Sequence, residues 1–346
     1  MKPVRFGLIG YGAWGRHHAR AIAESGVSEL SAIATRSLQN QDEARTQHPA
    51  AQIVGDYREL ITRPDIEIVD VVLPTDLHFE AGSAVLRAGK HLLLEKPMAG
   101  NLAHCDELIR LAQEHHCLLA IGHEFRLSPL WGKVKEMIEA GRVGEPQYAL
   151  IELWRNPYRP GAEGWRYDIG RVGSWILEEP IHFFDLARWY FAGRGNPASV
   201  FAQANGRRAE HPELQDNFSA IVNFPHGAYA VISQTLSGFE HHQTVKITGT
   251  RGALWAFWSG ACDRTFHPVC SLRHYEDGTL KEIPVTQPTG EVYELVNQIQ
   301  AVSRAVRQGG ALPATGEDGR ESVQMCLLAQ KSVASGMPVK WQTGNG

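Results

Sequence analysis

A glycine pattern near the start of the chain limits the folds that this sequence can adopt. An apolar run, Val4–Ile9, leads into the hexapeptide Gly10-Tyr11-Gly12-Ala13-Trp14-Gly15, and a helix-like stretch follows to Glu24. A G-x-G-x-x-G motif between a strand and a helix is the dinucleotide fingerprint, because glycines let backbone N–H groups approach a pyrophosphate at the positive end of the helix. We therefore expect residues 10–15 to bind a dinucleotide.

The same alternation of strands and helices continues through the first third of the chain. Short apolar runs alternate with helical patterns, in the order Leu30–Ala34, Ile66–Leu73, His78–Ala88 (helical), His91–Leu94, Leu102–His115 (helical) and Leu118–Ile121. Buried strands separated by helices of this length predict a doubly wound parallel sheet. We predict an α/β protein whose residues 1–122 form a Rossmann dinucleotide-binding domain.

The residues after the second strand bear on which dinucleotide binds. About twenty residues beyond the glycine motif, where a carboxylate would hold the ribose hydroxyls of NAD, the sequence reads Thr35-Arg36-Ser37. An arginine between two hydroxyls suits a 2′-phosphate better than a carboxylate would. The sequence thus predicts NAD or NADP and favours NADP.

Composition excludes several other classes of protein. The chain has 346 residues, a net charge of -4, 43% apolar and 21% charged residues, which predicts two folded domains. The sequence has no block of basic residues that would indicate binding to nucleic acid. None of its uncharged apolar runs approaches the roughly 20 residues that a membrane helix needs. The five cysteines predict no disulfide framework. The two histidines of each pair are adjacent in the sequence, so their side chains diverge and we expect no metal site. We expect a cytoplasmic protein.

Several further motifs resemble the Gfo/Idh/MocA oxidoreductase family. They are Leu73-Pro74-Thr75-Asp76-Leu77-His78, Ala88-Gly89-Lys90-His91, Leu94-Glu95-Lys96-Pro97, Gly122-His123-Glu124-Phe125-Arg126 and the segment His182–Trp189. The resemblance implies a second α/β domain with an open, mostly antiparallel sheet, which we place at residues 123–346, with C-terminal helices able to pack on the first domain. It also implies chemistry at a secondary hydroxyl of a sugar or cyclitol. Its implied site adds Pro74, Thr75, His78, Glu95 and Lys96 at the cofactor, and Lys96 and Arg126 at the substrate.

Lys96 is the first predicted catalytic residue. It follows the carboxyl end of a parallel strand, where open α/β sheets bind their ligands, and Pro97 keeps it out of helical geometry. A lysine partly removed from water beside a cofactor can exchange a proton with a reacting hydroxyl.

The second predicted catalytic group departs from the family pattern. The family motif Asp-x-Gly-x-His is represented here by Glu178-Glu179-Pro180-Ile181-His182, so His182 aligns and Glu178 replaces aspartate. Proline suits the first turn of a helix, so we expect the helix that carries His182 to begin or bend here. We predict His182 as general acid/base or hydroxyl binder, with Glu178 as a second candidate.

A long stretch between residues 155 and 182 is dense in arginine and aromatic residues. Long loops in compact domains are usually functional, aromatic faces pack on sugar rings, and guanidinium groups bind anions. We predict that it contributes to substrate binding and that the substrate includes, as an open choice, an anionic sugar. The predicted substrate contacts here are Arg155, Tyr158, Trp165 and Arg166, together with His182.

The remaining strands of the second half predict an exposed sheet. Residues Gln147–Arg155 alternate between apolar and mixed positions, and five further strand-like runs are separated by turn signals. Such a sheet packs one face on helices and leaves the other free for a partner subunit, so we expect a homodimer or homotetramer.

The sequence favours an NAD(P)-dependent sugar or cyclitol dehydrogenase in which Lys96 and His182 converge on one ring. The alternative enzyme is an NAD-dependent glycosidase, which oxidises a sugar transiently, eliminates the aglycone and returns the hydride. A redox sensor without enzymatic activity is a third interpretation.

Overall fold

The computed structural model describes residues 2–341 and divides into two compact units. The first unit comprises the chain up to Glu124 together with residues 294–320, and the second comprises residues 125–293 and the chain from Glu321 onward. Both units are α/β structures.

The first unit contains six strands and five complete helices. Its strands are β1 (Val4–Ile9), β2 (Ser28–Ala34), β3 (Gln52–Val54), β4 (Ile68–Val71), β5 (His91–Leu94) and β6 (Leu119–Ile121). Its helices are α1 (Gly15–Glu24), α2 (Leu38–Gln47), α3 (Tyr57–Ile61), α4 (His78–Arg87) and α5 (Leu102–Glu114). All strand pairs are parallel in the order β3-β2-β1-β4-β5-β6, which confirms the predicted Rossmann sheet.

Among the residues that the structure describes, the second unit is built on nine strands. They are β7 (Pro146–Arg155), β8 (Ser199–Asn205), β9 (Asn217–Asn223), β10 (Tyr229–Thr235), β11 (His241–Gly249), β12 (Gly252–Gly260), β13 (Val269–Glu276), β14 (Thr279–Glu282) and β15 (Val339–Lys340). Its helices are α6 (Trp131–Glu139), α7 (Ile169–Val172), α8 (Trp175–Glu178) and α9 (Pro180–Tyr190). The long helices α10 (Glu291–Gln308) and α11 (Gly316–Ser335) follow and contribute residues to both units.

The nine-stranded sheet is mostly antiparallel, as predicted. Its order is β14-β13-β12-β11-β7-β10-β9-β8-β15, and β7 and β10 form its parallel pair. In β7 the side chains of Ala149, Ile151 and Leu153 are buried, whereas Trp154 is exposed. One face of the sheet therefore packs on a core, and the other carries exposed side chains.

Helix α10 supplies part of the hydrophobic core of the first unit. Buried residues of β1, β2 and β4 pack with Ala19 and Ile22 of α1. Leu295, Ile299 and Val302 of α10 join the same cluster at helical spacing. The apolar stripe that the sequence shows near its end thus completes the core of the dinucleotide-binding unit.

The stretch after β7 is more regular than the loop that the sequence suggests. A 3-10 segment at residues 162–167 and the short helices α7 and α8 occupy it. Tyr158, Trp165 and Trp175 form a buried cluster with Leu214 and Leu236. Packing these large aromatic side chains together removes their apolar surface from water.

Within residues 2–341, no helix combines the length and apolar character that crossing a bilayer requires.

Candidate functional site

The glycine loop connects β1 to α1 with the geometry that the fingerprint predicts. A Cβ atom on Gly10, whose φ is +102°, would lie 2.1 Å from the carbonyl oxygen of Val72, and one on Gly15 would lie 2.0 Å from that of Gly10. A Cβ on Gly12 would meet no atom within 4 Å. The first and third glycines are thus required by the loop's own packing, whereas the second leaves an open side at the N-terminus of α1, which fits a pyrophosphate.

The strand end after β2 presents Arg36 to solvent. Thr35 is buried, and the Ser37 hydroxyl caps α2 by accepting a hydrogen bond from the backbone N–H of Asn40. Arg36 is exposed and makes no side-chain hydrogen bond or ion pair within residues 2–341. The nearby Arg16 is neutralised by Glu43, with Nε to Oε1 at 2.5 Å. Arg36 is therefore the guanidinium available to a ligand here.

His78 joins the segments that follow β4 and β5. Pro74 and Thr75 begin a short 3-10 turn, and His78 begins α4. The buried His78 ring has Nδ1 2.7 Å from the carbonyl oxygen of Pro97 and Nε2 2.8 Å from that of Leu73. Pro97 follows Lys96 through a cis peptide bond. The ring thus lies against the chain on the C-terminal side of Lys96.

Glu95 is buried on the other side of Lys96. Its backbone N–H donates to the carbonyl of Val71, and its carboxylate Oε1 lies 3.2 Å from Nε2 of His18. Burial alone would raise the pKa of Glu95, but the contact with His18 lowers it. Burial and the neighbouring Glu95 carboxylate hold the pKa of Glu124 well above its usual range. The pKa values of the two carboxyl groups are thus shifted in opposite directions, down for Glu95 and up for Glu124.

In the second unit, His182 and Glu178 lie on different helices. His182 is the third residue of α9, is buried, and stacks on Phe125 with ring centroids 4.5 Å apart. Glu178 ends α8, and Glu179 breaks the helix before Pro180 begins α9. The proline therefore starts the helix that carries His182, as predicted, and Glu178 does not lie one regular turn below it.

Each arginine that the sequence assigns to substrate faces a carboxylate within the second unit. Arg126 pairs with Asp185 through two contacts of 2.7 Å. Arg166 donates from Nε to Glu178 Oε1 at 2.5 Å. Arg155 pairs with Glu179 and lies 3.3 Å from Asp263. Their charges are compensated inside the protein.

The predicted aromatic contacts are also engaged. Tyr158 donates from its hydroxyl to Gln234 Oε1 at 3.1 Å, and burial raises its pKa well above the usual range. Trp165 is buried, with the Arg166 guanidinium 4.6 Å from its ring centroid. Both rings contribute to the packing of the segment that carries them.

One cluster in the second unit has the spacing of metal ligands. Ligand atoms of Glu179, His241 and Glu291 all lie within 4.8 Å of one another. Burial and the nearby Arg155 lower the pKa of His241 to about 3, so the imidazole is neutral. Arg155 already neutralises Glu179, however, so we assign Glu179 to an ion-pair network with Arg155 and Asp263, beside which the neutral His241 packs. The three residues come from separate segments and show no motif in the sequence.

Sequence analysis missed His18 and Asp70 of the first unit. Nδ1 of His18 lies 2.8 Å from Asp70 Oδ2, and both side chains are fully buried. The available signal was a carboxylate in the middle of the apolar strand β4. Lys96 belongs to the first unit and His182 to the second, so their convergence on one ring remains a prediction.

Comparisons with known proteins agree with this architecture. Residues 4–123 match the oxidoreductase family with an NAD-binding Rossmann fold, and residues 131–255 match the GFO/IDH/MocA C-terminal domain. The chain is 28% identical to 1,5-anhydro-D-fructose reductase of Ensifer adhaerens, covering 98% of this chain and 99% of that protein. It is 27% identical to inositol 2-dehydrogenase of Rhizobium meliloti, covering 96% and 97%. The structure of a levoglucosan dehydrogenase with NADH and levoglucosan has the same fold, with a TM-score of 0.83, 21% identity and coverage of 98% and 99%.

Proposed function

Because this chain belongs to the GFO/IDH/MocA oxidoreductase family, we propose that it is an NAD(P)-dependent dehydrogenase acting on a secondary hydroxyl group of a neutral sugar or cyclitol. The observation that carries the proposal is the open side of the glycine loop at Gly12, in a unit that also presents Lys96 after β5. Relatives similar over their full length are named for an anhydro-sugar and for inositol.

Residues of the first unit would hold the cofactor. Backbone N–H groups of residues 10–15 bind the pyrophosphate, and Pro74, Thr75 and His78 line the neighbouring strand end. Arg36 binds the 2′-phosphate, which favours NADP over NAD. When bound, the nicotinamide supplies the hydride acceptor or donor.

Lys96 and His182 would handle the hydroxyl proton. Oxidation of a secondary alcohol removes a hydride from carbon and a proton from oxygen, so the protein must accept that proton at the oxygen atom. Lys96 hydrogen-bonds to the reacting hydroxyl and takes its proton, and the imidazole of His182 orients the same group and exchanges the proton onward. Glu178, held by Arg166, is a carboxylate acceptor suited to a further hydroxyl.

The charge balance of the second unit supports a neutral substrate. Arg126, Arg155 and Arg166 each face a carboxylate, and a buried guanidinium already paired in this way gives little net attraction to a second anion. The anionic sugar that the sequence left open is therefore not part of the proposal.

We also propose a homo-oligomer built through the exposed face of the nine-stranded sheet. Trp154, Trp255, Tyr275 and Leu280 are exposed large apolar side chains on its strands. Trp255 and Leu280 line a groove of about 360 Å³ with Lys246 and Arg273. Contiguous apolar surface of this kind is typical of protein interfaces.

A substrate screen tests the proposed activity. Purified protein is incubated with myo-inositol, scyllo-inositol, levoglucosan, neutral aldoses and a uronic acid, each with NAD⁺ and with NADP⁺, and absorbance at 340 nm is followed. We expect net reduction of cofactor with a neutral polyol. Preference for the uronic acid contradicts the neutral substrate, and absence of reduction with every polyol contradicts the dehydrogenase.

Two further measurements separate the mechanisms. The Lys96→Met variant is expected to lose about 10²- to 10⁴-fold in kcat, the usual contribution of a general acid or base, while it retains NADPH affinity. Lys133→Met, which removes an exposed lysine paired with Glu136, is the matched control. Release of p-nitrophenol from nitrophenyl glycosides without net cofactor reduction would identify the glycosidase instead.

A further inference from the structure

A buried chain of charged groups lies behind Lys96 in the first unit. The His18 imidazole stands between two carboxylates, with Nδ1 2.8 Å from Asp70 Oδ2 and Nε2 3.2 Å from Glu95 Oε1. His18 and Asp70 are fully buried, and Glu95 is 5% exposed. Nδ1 is hydrogen-bonded to Asp70, whereas Nε2 lies within ion-pair distance of Glu95 without an aligned hydrogen bond. Both ring nitrogens therefore face carboxylate oxygens.

The position of Asp70 is unusual for a structural residue. It lies within β4, where its Cα pairs with Leu8 of β1 and Leu93 of β5 in a fully buried part of the sheet. A well-packed apolar residue at such a place is often as stabilising as a buried ion pair, or more so. A carboxylate that breaks the local apolar pattern at this depth is expected where function requires it.

Glu95 connects this pair to the predicted catalytic segment. The indole of Trp14, from the glycine loop, is a polar neighbour of the Glu95 carboxylate and helps to lower its pKa. A Cβ on Gly122 would lie 2.7 Å from Glu95 Oε1, so the carboxylate packs directly against this glycine. With His18 on the remaining side, the Glu95 side chain is held by the loop, by α1 and by the end of β6. The residue so held is the immediate neighbour of Lys96.

We propose that His18 and Asp70 are positioning residues for Lys96, which they orient by holding the Glu95 side chain in one position at the end of β5. The inference rests on the proposed function, since it gives a role to the amine of Lys96. His78, which lies against the carbonyls of Leu73 and Pro97, holds the other side of the same segment. The backbone at Lys96 is thus held through both of its neighbours along the chain.

The charges around His18 determine how it titrates. Burial would lower its pKa, but Asp70 and Glu95 raise it to about 10. Lys96 and Glu124 act on Glu95 in turn, and Glu294 acts on Glu124. Burial and the Glu95 charge raise the pKa of Glu124 well above its usual range. Burial also raises the pKa of Asp70, although contact with His18 lowers it. Asp70 and Glu95 are the two carboxylates that lie against the His18 ring and raise its pKa.

The Asp70→Asn variant tests the inference, because it keeps the shape of the side chain and removes its charge. Histidine-labelled full-length protein is titrated by NMR, a measurement that needs no substrate. We expect the wild-type His18 to remain cationic through neutral pH and its pKa to fall by at least one pH unit in the variant. An unchanged titration overturns the inference.

Kinetics distinguish positioning from a purely structural role. With the polyol that the screen identifies, Asp70→Asn is expected to lower kcat about 10- to 100-fold, the usual effect of removing an outer partner, and to leave KM and NADPH affinity within twofold. A lower melting temperature with unchanged kcat means that the pair is structural and overturns the inference. Asp277→Asn, in the exposed turn between β13 and β14, is the matched control.

A second variant keeps the test decisive if Asp70→Asn does not fold. His18→Gln retains hydrogen-bonding groups without the charge. Like Asp70→Asn, it is expected to lower kcat and to leave KM and NADPH affinity within twofold. The Lys96→Met variant separates the proposed catalytic role of Lys96 from the proposed role of His18 and Asp70. If Lys96→Met leaves kcat unchanged, the catalytic role of Lys96 fails. The His18 titration is independent of that result, because it reports on the buried network alone.

Discussion

The Arg126 guanidinium and the Asp185 carboxylate form a two-point ion pair, with Nε 2.7 Å from Oδ2 and Nη2 2.7 Å from Oδ1, and both side chains are buried. Ser322 adds a hydrogen bond from its hydroxyl to Asp185 Oδ1 at 3.1 Å. Arg126 lies in a motif whose family resemblance implies substrate binding. The geometry shows that its guanidinium is engaged with Asp185 within the second unit.

Breaking this pair should therefore lower the stability of the protein rather than weaken substrate binding. Arg126→Leu leaves the Asp185 charge buried, and removal of one partner of such a pair costs about 3–5 kcal/mol of unfolding free energy. Urea unfolding measures the loss, and Glu136→Gln, which breaks an exposed pair with Lys133, serves as the control with an unchanged midpoint. A raised KM at unchanged stability would instead place Arg126 at the substrate.

Gly12→Ala should separate cofactor binding from folding. A Cβ at this position meets no protein atom within 4 Å, so the melting temperature should stay unchanged, while the added methyl group obstructs the pyrophosphate. We expect NADPH affinity, measured by cofactor fluorescence, to fall at least tenfold. Gly193→Ala, another glycine whose Cβ would meet open space, is the control. Unchanged affinity in Gly12→Ala would mean that the dinucleotide does not lie against this loop.

Arg36→Ala should change the choice of cofactor. The exposed guanidinium is available to a 2′-phosphate, and losing one charge-assisted hydrogen bond of about 1.5–3 kcal/mol weakens binding roughly tenfold or more. NADPH affinity should fall by this factor, while NADH affinity should stay constant. Arg58→Ala, at an exposed arginine of α3, should change neither. If both affinities fall equally, Arg36 contacts a part that the two cofactors share.

Trp255→Ser should dissociate the proposed oligomer. Trp255 is 48% exposed, and the cations of Lys246 and Arg273 lie 5.1 and 5.9 Å from its ring centroid, so its removal takes away interface area without opening the core. Light scattering coupled to gel filtration should show a wild-type dimer or tetramer and a smaller species for the variant. Phe239→Ser, at an exposed residue between β10 and β11, is the control. A monomeric wild-type protein would contradict the proposal.

The stability of the first unit should depend on pH through His18. Its folded pKa of about 10 exceeds the ordinary value of 6.5, so the folded state binds this proton more tightly. The resulting stabilisation is complete below about pH 6.5 and is lost as the pH rises through 10. Asp70→Asn should therefore destabilise most at pH 6 and least at pH 10, as measured by urea unfolding. An equal loss at both values would assign the effect to packing.

The features that could be predicted from the sequence are those determined by interactions between residues close together in the chain. The glycine loop, the alternation of strands and helices in the first unit and the start of α9 at Pro180 are predictable because backbone conformation and side-chain periodicity act over a few residues. The segment after β7 was harder to predict, because its short helices are stabilised by an aromatic cluster that includes Leu214 and Leu236 from later in the chain.

What the sequence determined by itself is the parallel α/β class of the first unit, the dinucleotide loop and the placement of Lys96 at the end of β5. Only the tertiary structure decided the partners of the charged groups: Asp185 for Arg126, Glu178 for Arg166, and His18 for both Asp70 and Glu95. The physical reason is that a buried charge must be compensated, and the compensating group is whichever one the fold brings within a few ångströms, regardless of its distance along the chain.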